Sequence, residues 1–567
     1  MLSLLLIPAC LLAVAAPDLS TLAERSGFVR TGRMDEVARL CAAFEAAYPT
    51  RAHCITFGTT PQGRAMQALV LGTGKGPTVL VQGGIHAGEI DGKDAGFLFA
   101  REALEGKLLE RVTVVFVPVF NVDGHERFAK NNRPNQRGPE EMGWRTTAQN
   151  LNLNRDYMKV DAPEMRAMLA LLVRTDPLLY VDLHVTDGAQ FQHDVAVLVD
   201  PADHAGAMHD AAITLRTNVI ARVNRAGHHA LAFYPSFEKD DDPASGFAVG
   251  VAPPRFSQPY WALHGRMGML VETHSWHDYQ ARVLCTRDIL RAILDEATLH
   301  ADEWTRAAQA ADAPPALHAP VELAWESTGE AKPVDFLGYA YVREPSSVSG
   351  ALKTTYDETK PQVWRVPLAT AVKPTVVADA PFAYVVPAEH AAWVRDKLDA
   401  HGIAYQAVGA DHAAADVSVF RATEVKLADK SFEGHQGAKL KGAWTKERRA
   451  ILKGALVVPV HQRLGVLAMQ LFEPTAPDAL VSWGFFNAAF EQKEYMESYV
   501  AEDVAAHMLK DPKVRAEFAA KLEADPAFAK DPDARLDWFY RRHPSWDERR
   551  DLYPVFRLES GPLEGSP

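Results

Sequence analysis

Residues Pro77-Thr78-Val79-Leu80-Val81 and Gly83-Gly84-Ile85-His86-Ala87-Gly88-Glu89 pass from a β-branched apolar run into a glycine-rich turn with a histidine and a glutamate three positions apart. The apolar run predicts a buried strand, and the spacing of Asp91 to Glu105 predicts a helix directly after the turn. The glycines let the backbone turn tightly and approach an ion, and Glu89 lies where the helix opens. This stretch therefore predicts a strand, a ligand-bearing turn and a helix within an α/β fold.

Three further apolar runs predict strands that are covered on both faces: Val112 to Val119, Leu178 to Leu183 and Met267 to Val271. Two of them lead into polar residues, in Asp182-Leu183-His184 and Val271-Glu272-Thr273-His274. Because α/β sheets bind ligands outside the carboxyl ends of their strands, we expect these polar residues to meet the glycine-rich turn at one edge of the sheet.

His86, Glu89 and His184 form the nitrogen and oxygen ligand set of a hydrolytic zinc site. Three protein ligands leave a fourth position open for water, whereas structural sites are closed by four. His184 alone has the simpler interpretation of a core histidine, but Asp182 lies on the same strand face and could orient a site group. A second His-x-x-Glu, His300 to Glu303, lies in an amphipathic helical stretch, and we interpret it as a solvated face. We predict one zinc ion per chain.

The ordered set of these residues resembles the zinc carboxypeptidases related to carboxypeptidase A. The set comprises His86-x-x-Glu89, Asn121-Val122-Asp123-Gly124, Trp144-Arg145, Asn152-Leu153-Asn154-Arg155, His184 and Glu272. The resemblance covers about residues 58–276 and implies a mixed eight-stranded sheet flanked by helices. It also implies zinc held by His86, Glu89 and His184, with Glu272 as the general base. Independently, Glu272 ends a buried strand, where a metal-bound water would give its carboxylate a partner.

The resemblance also implies how a substrate is held. Arg145 resembles the arginine that stabilises the oxyanion, although Arg137 and Arg133 in the same loop could take that role. Asn154 and Arg155 resemble the pair that grips the terminal carboxylate of the substrate, a two-pronged contact suited to guanidinium. The alternative for this pair is an ordinary loop with a surface ion pair. A free terminal carboxylate is therefore the expected recognition feature.

Two positions depart from the family pattern. Asn152 stands where relatives often carry an aspartate behind the first zinc histidine, so we expect His86 to be a less basic ligand. The family's mobile tyrosine has no clear counterpart. Tyr260, 12 residues before Glu272, is the candidate for substrate binding, with core packing as the alternative. The side-chain preference of the substrate is not predicted.

Length and charge favour a multidomain protein that acts on peptides or small molecules. A chain of 567 residues is too long for one core, and a net charge of -13 without a long basic run argues against nucleic acid or anionic membranes as partners. We predict a zinc carboxypeptidase-like catalytic domain over residues 17–310, a proline-containing linker over 311–320 and a C-terminal α/β or α+β domain over 321–567. The C-terminal domain shows no catalytic constellation, and we interpret it as structural or substrate-shaping, with glycan or protein binding as an option.

Residues Leu2 to Ala16 form a short apolar run that ends in small residues, which is typical of a signal peptide. The run is too short to span a membrane, and no later stretch is apolar enough to do so. We predict cleavage after Ala15 or Ala16 and a secreted or periplasmic protein, with a buried first helix as the alternative. Cys41 and Cys54 could then pair in an oxidising compartment, or remain reduced as small buried side chains.

The predicted function is that of a zinc-dependent metallocarboxypeptidase, which hydrolyses the C-terminal peptide bond of peptides with a glutamate base. The first alternative is a zinc deacylase or amidase on the same fold, acting on N-acyl amino acids or cell-wall peptides. The second is a non-catalytic binding protein. All the metal ligands and Glu272 are present, which argues against this second alternative because a decayed site usually loses at least one of them.

Overall fold

The computed structural model describes residues 17–106, 108–200 and 206–563. The predicted signal peptide, residues 1–16, lies outside the described residues. The strands of the first part of the chain are β1 (Ala52–Thr59), β2 (Ala65–Leu71), β3 (Thr78–Gln82), β4 (Thr113–Val117), β5 (Leu179–Thr186), β6 (Val195–Asp200), β7 (Ala230–Leu231), β8 (Phe247–Ala248) and β9 (Met267–His274). Its helices are α1 (Leu22–Arg25), α2 (Met34–Ala47), α3 (Asp91–Glu105), α4 (Val122–His125), α5 (Pro163–Thr175), α6 (Ala207–Arg225), α7 (Ser257–Ala262) and α8 (Tyr279–Ala311).

Eight of these strands form one mixed sheet in the order β1-β2-β4-β3-β5-β9-β6-β7. The central strands β4, β3, β5 and β9 are parallel to one another, and they meet antiparallel neighbours at β2 and β6. Every residue of β4 and of β5 is buried, as expected for parallel strands covered on both faces. The predicted α/β fold with a mixed eight-stranded sheet is confirmed.

The strands that carry the candidate site run further than the sequence pattern predicts. β5 continues to Thr186 and β9 continues to His274, so His184 and Glu272 lie inside strands and not after them. The physical reason is that the parallel ladder between the two strands continues to their ends. Polar side chains here interrupt the apolar pattern without interrupting the backbone hydrogen bonds.

The second part of the chain is of the α+β type. Its strands are β10 (Pro320–Ser327), β11 (Ala331–Pro345), β12 (Leu352–Ala369), β13 (Val372–Asp379), β14 (Ala383–Val386), β15 (Gln406–Ala407), β16 (His412–Leu427), β17 (Ala438–Ile451), β18 (Leu456–Pro459) and β19 (Phe556–Leu558). Its helices are α9 (Ala388–His401), α10 (Gly465–Phe472), α11 (Ser498–Met508), α12 (Pro512–Ala524), α13 (Pro526–Lys530) and α14 (Pro532–Tyr540). The pairings among these strands are antiparallel in the described residues, and they include a six-stranded sheet in the order β15-β18-β14-β19-β16-β17.

The two parts of the chain pack closely. One hydrophobic core extends from the strands of the first sheet to α9 and α10. The long hairpin of β11 and β12 also reaches back to the first part, where β12 pairs in parallel with β8. The predicted linker lies between the end of α8 and the start of β10, and the domain boundaries themselves stay a prediction.

A disulfide joins Cys41 of α2 to Cys54 of β1, and Cys285 is a free, buried cysteine. Of the two alternatives for the first pair, the structure therefore contains the bonded one. Within the described ranges, no helix combines the length and the apolar character that crossing a bilayer requires.

Candidate active site

Three side chains meet at the carboxyl edge of the central strands. His86 and Glu89 lie in the turn between β3 and α3, and His184 lies in β5, which pairs with β3. The Nδ1 atom of His86 is 3.0 Å from Oε1 of Glu89, and the Nδ1 atom of His184 is 2.9 Å from Oε2 of the same carboxylate. The three ligand atoms lie within 4.8 Å of one another. The fold thus brings together the three predicted metal ligands.

Each histidine is oriented by a group on the far side of its ring. Nε2 of His86 is 3.3 Å from Oδ1 of Asn152, and Nε2 of His184 is 2.9 Å from Oδ2 of Asp182. When Nε2 of His86 donates to the amide oxygen, Nδ1 keeps a lone pair, a tautomer that we infer from these partners. That lone pair faces the carboxylate of Glu89 and has no hydrogen-bond partner among the described residues. A cation between the two would satisfy both groups.

The two histidines have pKa values that shift in opposite directions. Burial lowers the pKa of His86 to about 4, and Glu89 opposes this only in part. Burial also acts to lower the pKa of His184, but Asp182 and Glu272 outweigh it and raise that pKa well above its usual range. A neutral amide behind one ring and a carboxylate behind the other explain the difference. The structure places Asn152 behind the ring of His86, and the expectation that it makes His86 a less basic ligand than an aspartate would stays a prediction.

The donor set fits zinc. Two imidazole nitrogens and one carboxylate are the ligands of hydrolytic zinc sites. The lowered pKa of His86 favours the neutral form that binds metal, whereas a metal would displace the proton that Asp182 and Glu272 stabilise on His184. Among the described residues, His86, Glu89 and His184 are the only group of three or more such side chains in ligand geometry. The second His-x-x-Glu pair is 2.8 Å apart at His300 and Glu303 but belongs to no such group.

Strand register places Glu272 beside His184. The two residues are direct partners in the ladder between β5 and β9, and partners in adjacent strands point to the same face of a sheet. Burial raises the pKa of Glu272 to about 8, with His184 opposing and Glu89 adding to the shift. A divalent cation on the neighbouring ligands would favour the charged carboxylate.

Two of the three candidate arginines contact the group of His86, Glu89 and His184, which we call the metal-ligand cluster. Nη1 of Arg133 is 3.1 Å and Nη1 of Arg145 is 3.3 Å from Oε1 of Glu89. Arg137 instead pairs with Glu358 of β12, away from the cluster. Of the two that remain, Arg145 also lines the cavity that opens onto the cluster, so it is the better placed to meet a substrate oxygen.

This cavity has a volume of about 470 Å³, and Asn154 and Arg155 lie on its wall with the metal-ligand cluster. Arg155 donates from Nη1 to the backbone oxygen of Asn154 at 2.7 Å, and its guanidinium carbon lies 4.3 Å from the ring centroid of Phe256. Glu433 and Asp478 are its carboxylate neighbours at longer range, but no described carboxylate forms an ion pair with it. Oδ1 of Asn154 is buried and has no described hydrogen-bond partner. The guanidinium of Arg155 is therefore a half-buried cation beside Asn154 that can bind an incoming anion.

The prediction that Tyr260 contacts substrate is corrected by the structure. Tyr260 is fully buried in α7, where its hydroxyl lies 2.9 Å from Nδ1 of His401 in α9, because this helix packs into the core. Tyr234, in the loop between β7 and β8, lines the cavity instead. Burial raises its pKa, and the negative charges of Glu272 and Asp187 add to the effect. Its hydroxyl thus stays protonated and can donate a hydrogen bond.

A signal for Tyr234 was present in the sequence. Tyr234 and Tyr260 are the only tyrosines between His184 and Glu272. Both tyrosines adjoin a proline and an aromatic residue, but Tyr260 is followed by the apolar residues 261–263, whereas Tyr234 is followed by the charged run 238–242, which predicts a loop. Functional side chains are more frequent on loops that a rigid scaffold positions, which favours Tyr234.

The sheet and the cluster at its carboxyl edge define an α/β protein with a candidate metal site whose ligand set is of the hydrolase type. Residues 37–235 match the model of the Peptidase_M14 family, which is described as zinc carboxypeptidase. The resemblance to this family is thereby confirmed, and the match supports a hydrolase of the zinc carboxypeptidase kind. The matched segment includes the three metal ligands and ends before Glu272, whose place is defined by the strand register.

Solved structures of carboxypeptidases are similar to part of the chain. A metallo-carboxypeptidase from Burkholderia cenocepacia shares 19% identity, with 47% of this chain and 70% of that chain covered and a TM-score of 0.36. Carboxypeptidase A from Helicoverpa armigera shares 16%, covers 49% and 74%, and has a TM-score of 0.35. A metallo-carboxypeptidase from Pseudomonas aeruginosa, in complex with (2-guanidinoethylmercapto)succinic acid, shares 15%, covers 47% and 69%, and has a TM-score of 0.35. No curated protein matches the chain significantly.

Proposed function

We propose that this protein is a zinc metallocarboxypeptidase that hydrolyses the C-terminal peptide bond of peptides. The observation that carries the proposal is that one cavity joins the metal ligands, Glu272 and the pair of Asn154 and Arg155. A metal centre alone is compatible with many hydrolases, but Arg155 lies in the same cavity and has no ion-pair partner among the described residues, which favours a substrate with a free carboxylate.

The chain's own residues can perform the steps of such a reaction. A bound zinc ion supplies Lewis acidity and lowers the pKa of the attacking water. Asn154 and Arg155 bind the terminal carboxylate and so place the scissile carbonyl at the metal-ligand cluster. Glu272 takes a proton from the water and returns it to the leaving nitrogen. The guanidinium of Arg145 is available for the negative charge that develops on the carbonyl oxygen.

The pair of Asn154 and Arg155 predicts a strict requirement for a free terminal carboxylate. Amidation of a peptide substrate, or the Arg155→Ala substitution, is expected to lower kcat/KM by about ten- to hundredfold, because each removes one half of a charge-assisted contact. The two losses should not add when they are combined. Steady-state kinetics with matched free-acid and amidated peptides measure both effects.

The matched control is Arg174→Ala, which removes an exposed arginine at the end of α5. It is expected to leave kcat/KM unchanged. Equal cleavage of free-acid and amidated peptides by the wild type would contradict the carboxypeptidase proposal and leave a zinc hydrolase. Hydrolysis of N-acyl amino acids in preference to peptides would identify a deacylase or amidase, and normal zinc content without any hydrolysis would identify a binding protein.

We also propose that the protein is exported to the periplasm or the cell exterior. The apolar run of Leu2 to Ala16 supports export, and so does the disulfide between Cys41 and Cys54, because such bonds persist mainly in oxidising compartments. The mature chain is expected to begin at Ala16 or Pro17. N-terminal sequencing of the native protein measures this, and an intact Met1 would argue for a cytoplasmic enzyme.

A further inference from the structure

The cavity that contains Glu272 and the metal-ligand cluster is called the catalytic cavity below. A second cavity, of about 670 Å³, lies against it, and we call this second cavity the trough. Its walls come from residues 187–190 after β5, from residues 234–241 in the loop after β7, from Trp276 after β9 and from residues 353–356 of β12. Three of these walls follow the strands of the first sheet. The fourth is supplied by the C-terminal part of the chain.

The trough adjoins the catalytic cavity, because Asp187, Tyr234 and Ser236 line both. This shared wall lies beside the metal-ligand cluster. Asp187 follows His184 by three residues, and its Oδ1 lies 3.1 Å from Nη2 of Arg133, whose Nη1 lies 3.1 Å from Oε1 of Glu89. Under the proposed function, a peptide held by its terminal carboxylate has its scissile bond at the cluster, so the rest of the peptide needs a binding surface beside the cluster, and the trough offers one there.

The hairpin of β11 and β12 is fastened to the loop that carries Tyr234. The backbone N–H of Thr354 donates to Oδ2 of Asp241 at 2.7 Å, and Nη1 of Arg343 lies 2.9 Å from Oδ2 of Asp242. Further along the hairpin, β12 pairs with β8, which belongs to the same loop. Each strand of the hairpin therefore has its own contact with the wall of the trough.

An aromatic cluster anchors the hairpin from beneath. The ring of Phe336 in β11 lies 4.8 Å from Phe247 in β8 and 5.6 Å from Trp364 in β12, and all three side chains are buried. The backbone N–H of Leu337 also donates to Nε2 of His193 at 3.2 Å. Buried aromatic contacts of this kind are stabilising, so the hairpin is a fixed wall of the trough.

The surface of the trough combines aromatic rings with hydrogen-bonding groups. Trp276 is held in place by a hydrogen bond from its indole N–H to the backbone oxygen of Gly188 at 2.9 Å. Tyr234 is 36% exposed, and Tyr356 of β12 provides a third ring. Cavities of about 300–1,000 Å³ with aromatic walls and a few polar groups are typical binding sites for organic ligands.

We propose that the trough binds the part of a peptide substrate that lies N-terminal to the scissile bond, with the hairpin of β11 and β12 as one wall. The proposal rests on the proposed function and makes it more specific, because an N-acyl amino acid has only an acyl group, and no further residues, on that side of the scissile bond. Binding energy from remote parts of a substrate can be used to lower the barrier at the reacting bond. The preferred substrates are therefore extended peptides, and the C-terminal part of the chain shapes their binding.

The test is a nested series of free-acid peptides that share the same C-terminal dipeptide and grow from two to about six residues. In the wild type, kcat/KM is expected to rise about tenfold or more along the series. The Thr355→Trp variant places a bulky ring at an exposed position of the trough wall, where a strand tolerates aromatic residues. It should bring the long peptides down to the value of the shortest. Val363→Trp adds the same ring at an exposed position of β12 outside the trough and should preserve the rise.

A second measurement separates this proposal from the proposed function. Fluorescence anisotropy with labelled peptides of the same series, on the zinc-loaded Glu272→Gln variant, should show tighter binding of the longer peptides and the loss of that gain when Thr355→Trp is added. Equal kcat/KM at all lengths, or a rise that Thr355→Trp leaves intact, would overturn the trough proposal while leaving a carboxypeptidase. Failure to cleave any free-acid peptide would overturn the proposed function, and the anisotropy series would then decide on the trough alone.

Discussion

The Glu272→Gln variant is expected to lose most of its turnover, about 100- to 10,000-fold in kcat, while it keeps its zinc and its fold. The amide has nearly the size of the carboxylate but cannot accept a proton from the attacking water. The register between β5 and β9 places residue 272 beside His184 through backbone contacts, which the substitution leaves in place. The measurement is kcat and zinc content on the same preparation.

The matched control for this variant is Glu303→Gln, the same change at the exposed glutamate of the second His-x-x-Glu pair. Its turnover should equal that of the wild type. Near-normal turnover of the zinc-loaded Glu272→Gln variant would show that another residue is the base. Loss of zinc together with turnover would instead indicate that Glu272 helps to hold the metal.

The His86→Ala variant is expected to lose its zinc, from about one ion per chain to background, and its activity with it. Removal of one of three protein ligands leaves Glu89 and His184, which are too few for a stable site. Elemental analysis after dialysis against a weak chelator measures the loss. The Glu89→Ala variant should behave in the same way.

The chain contains a control for this experiment with the same local sequence pattern. His300 also precedes a glutamate by three residues, but it lies in α8 outside any group of three ligand residues that the structure describes. His300→Ala should therefore retain normal zinc content. Normal zinc in the His86→Ala variant would remove the basis for the metal centre, whatever the activity.

Much of the first part of the chain could be predicted from local sequence patterns. The helix expected over Asp91 to Glu105 has those bounds in α3, and the apolar runs correspond to β3, β4, β5 and β9. These signals are local because apolar spacing and glycine positions act over a few residues. The long strands β12, β16 and β17 show a weaker apolar pattern in the sequence, because many of their residues are exposed and charged.

In the candidate site too, some residues could be predicted from the sequence and others could be placed only by the structure. The ligand residues could be named from their types and order, but the choice among arginines could not. Arg137 is removed from the cluster by Glu358, which is 221 residues away in the chain. Arg133 and Arg145 reach Glu89 through the path of a loop that has no periodic pattern. Contacts of this kind depend on how distant segments pack.

The sequence by itself determined the class of fold and was enough to predict the three metal ligands and the base, since these predictions follow from local patterns and from a set of motifs in a characteristic order. Only the tertiary structure decided that Tyr260 belongs to the core and that Tyr234 lines the cavity. It alone also placed residues 353–356 of the C-terminal part in the wall of the trough. The physical reason is that a side chain's surroundings depend on contacts between segments far apart in the chain, which local patterns do not record.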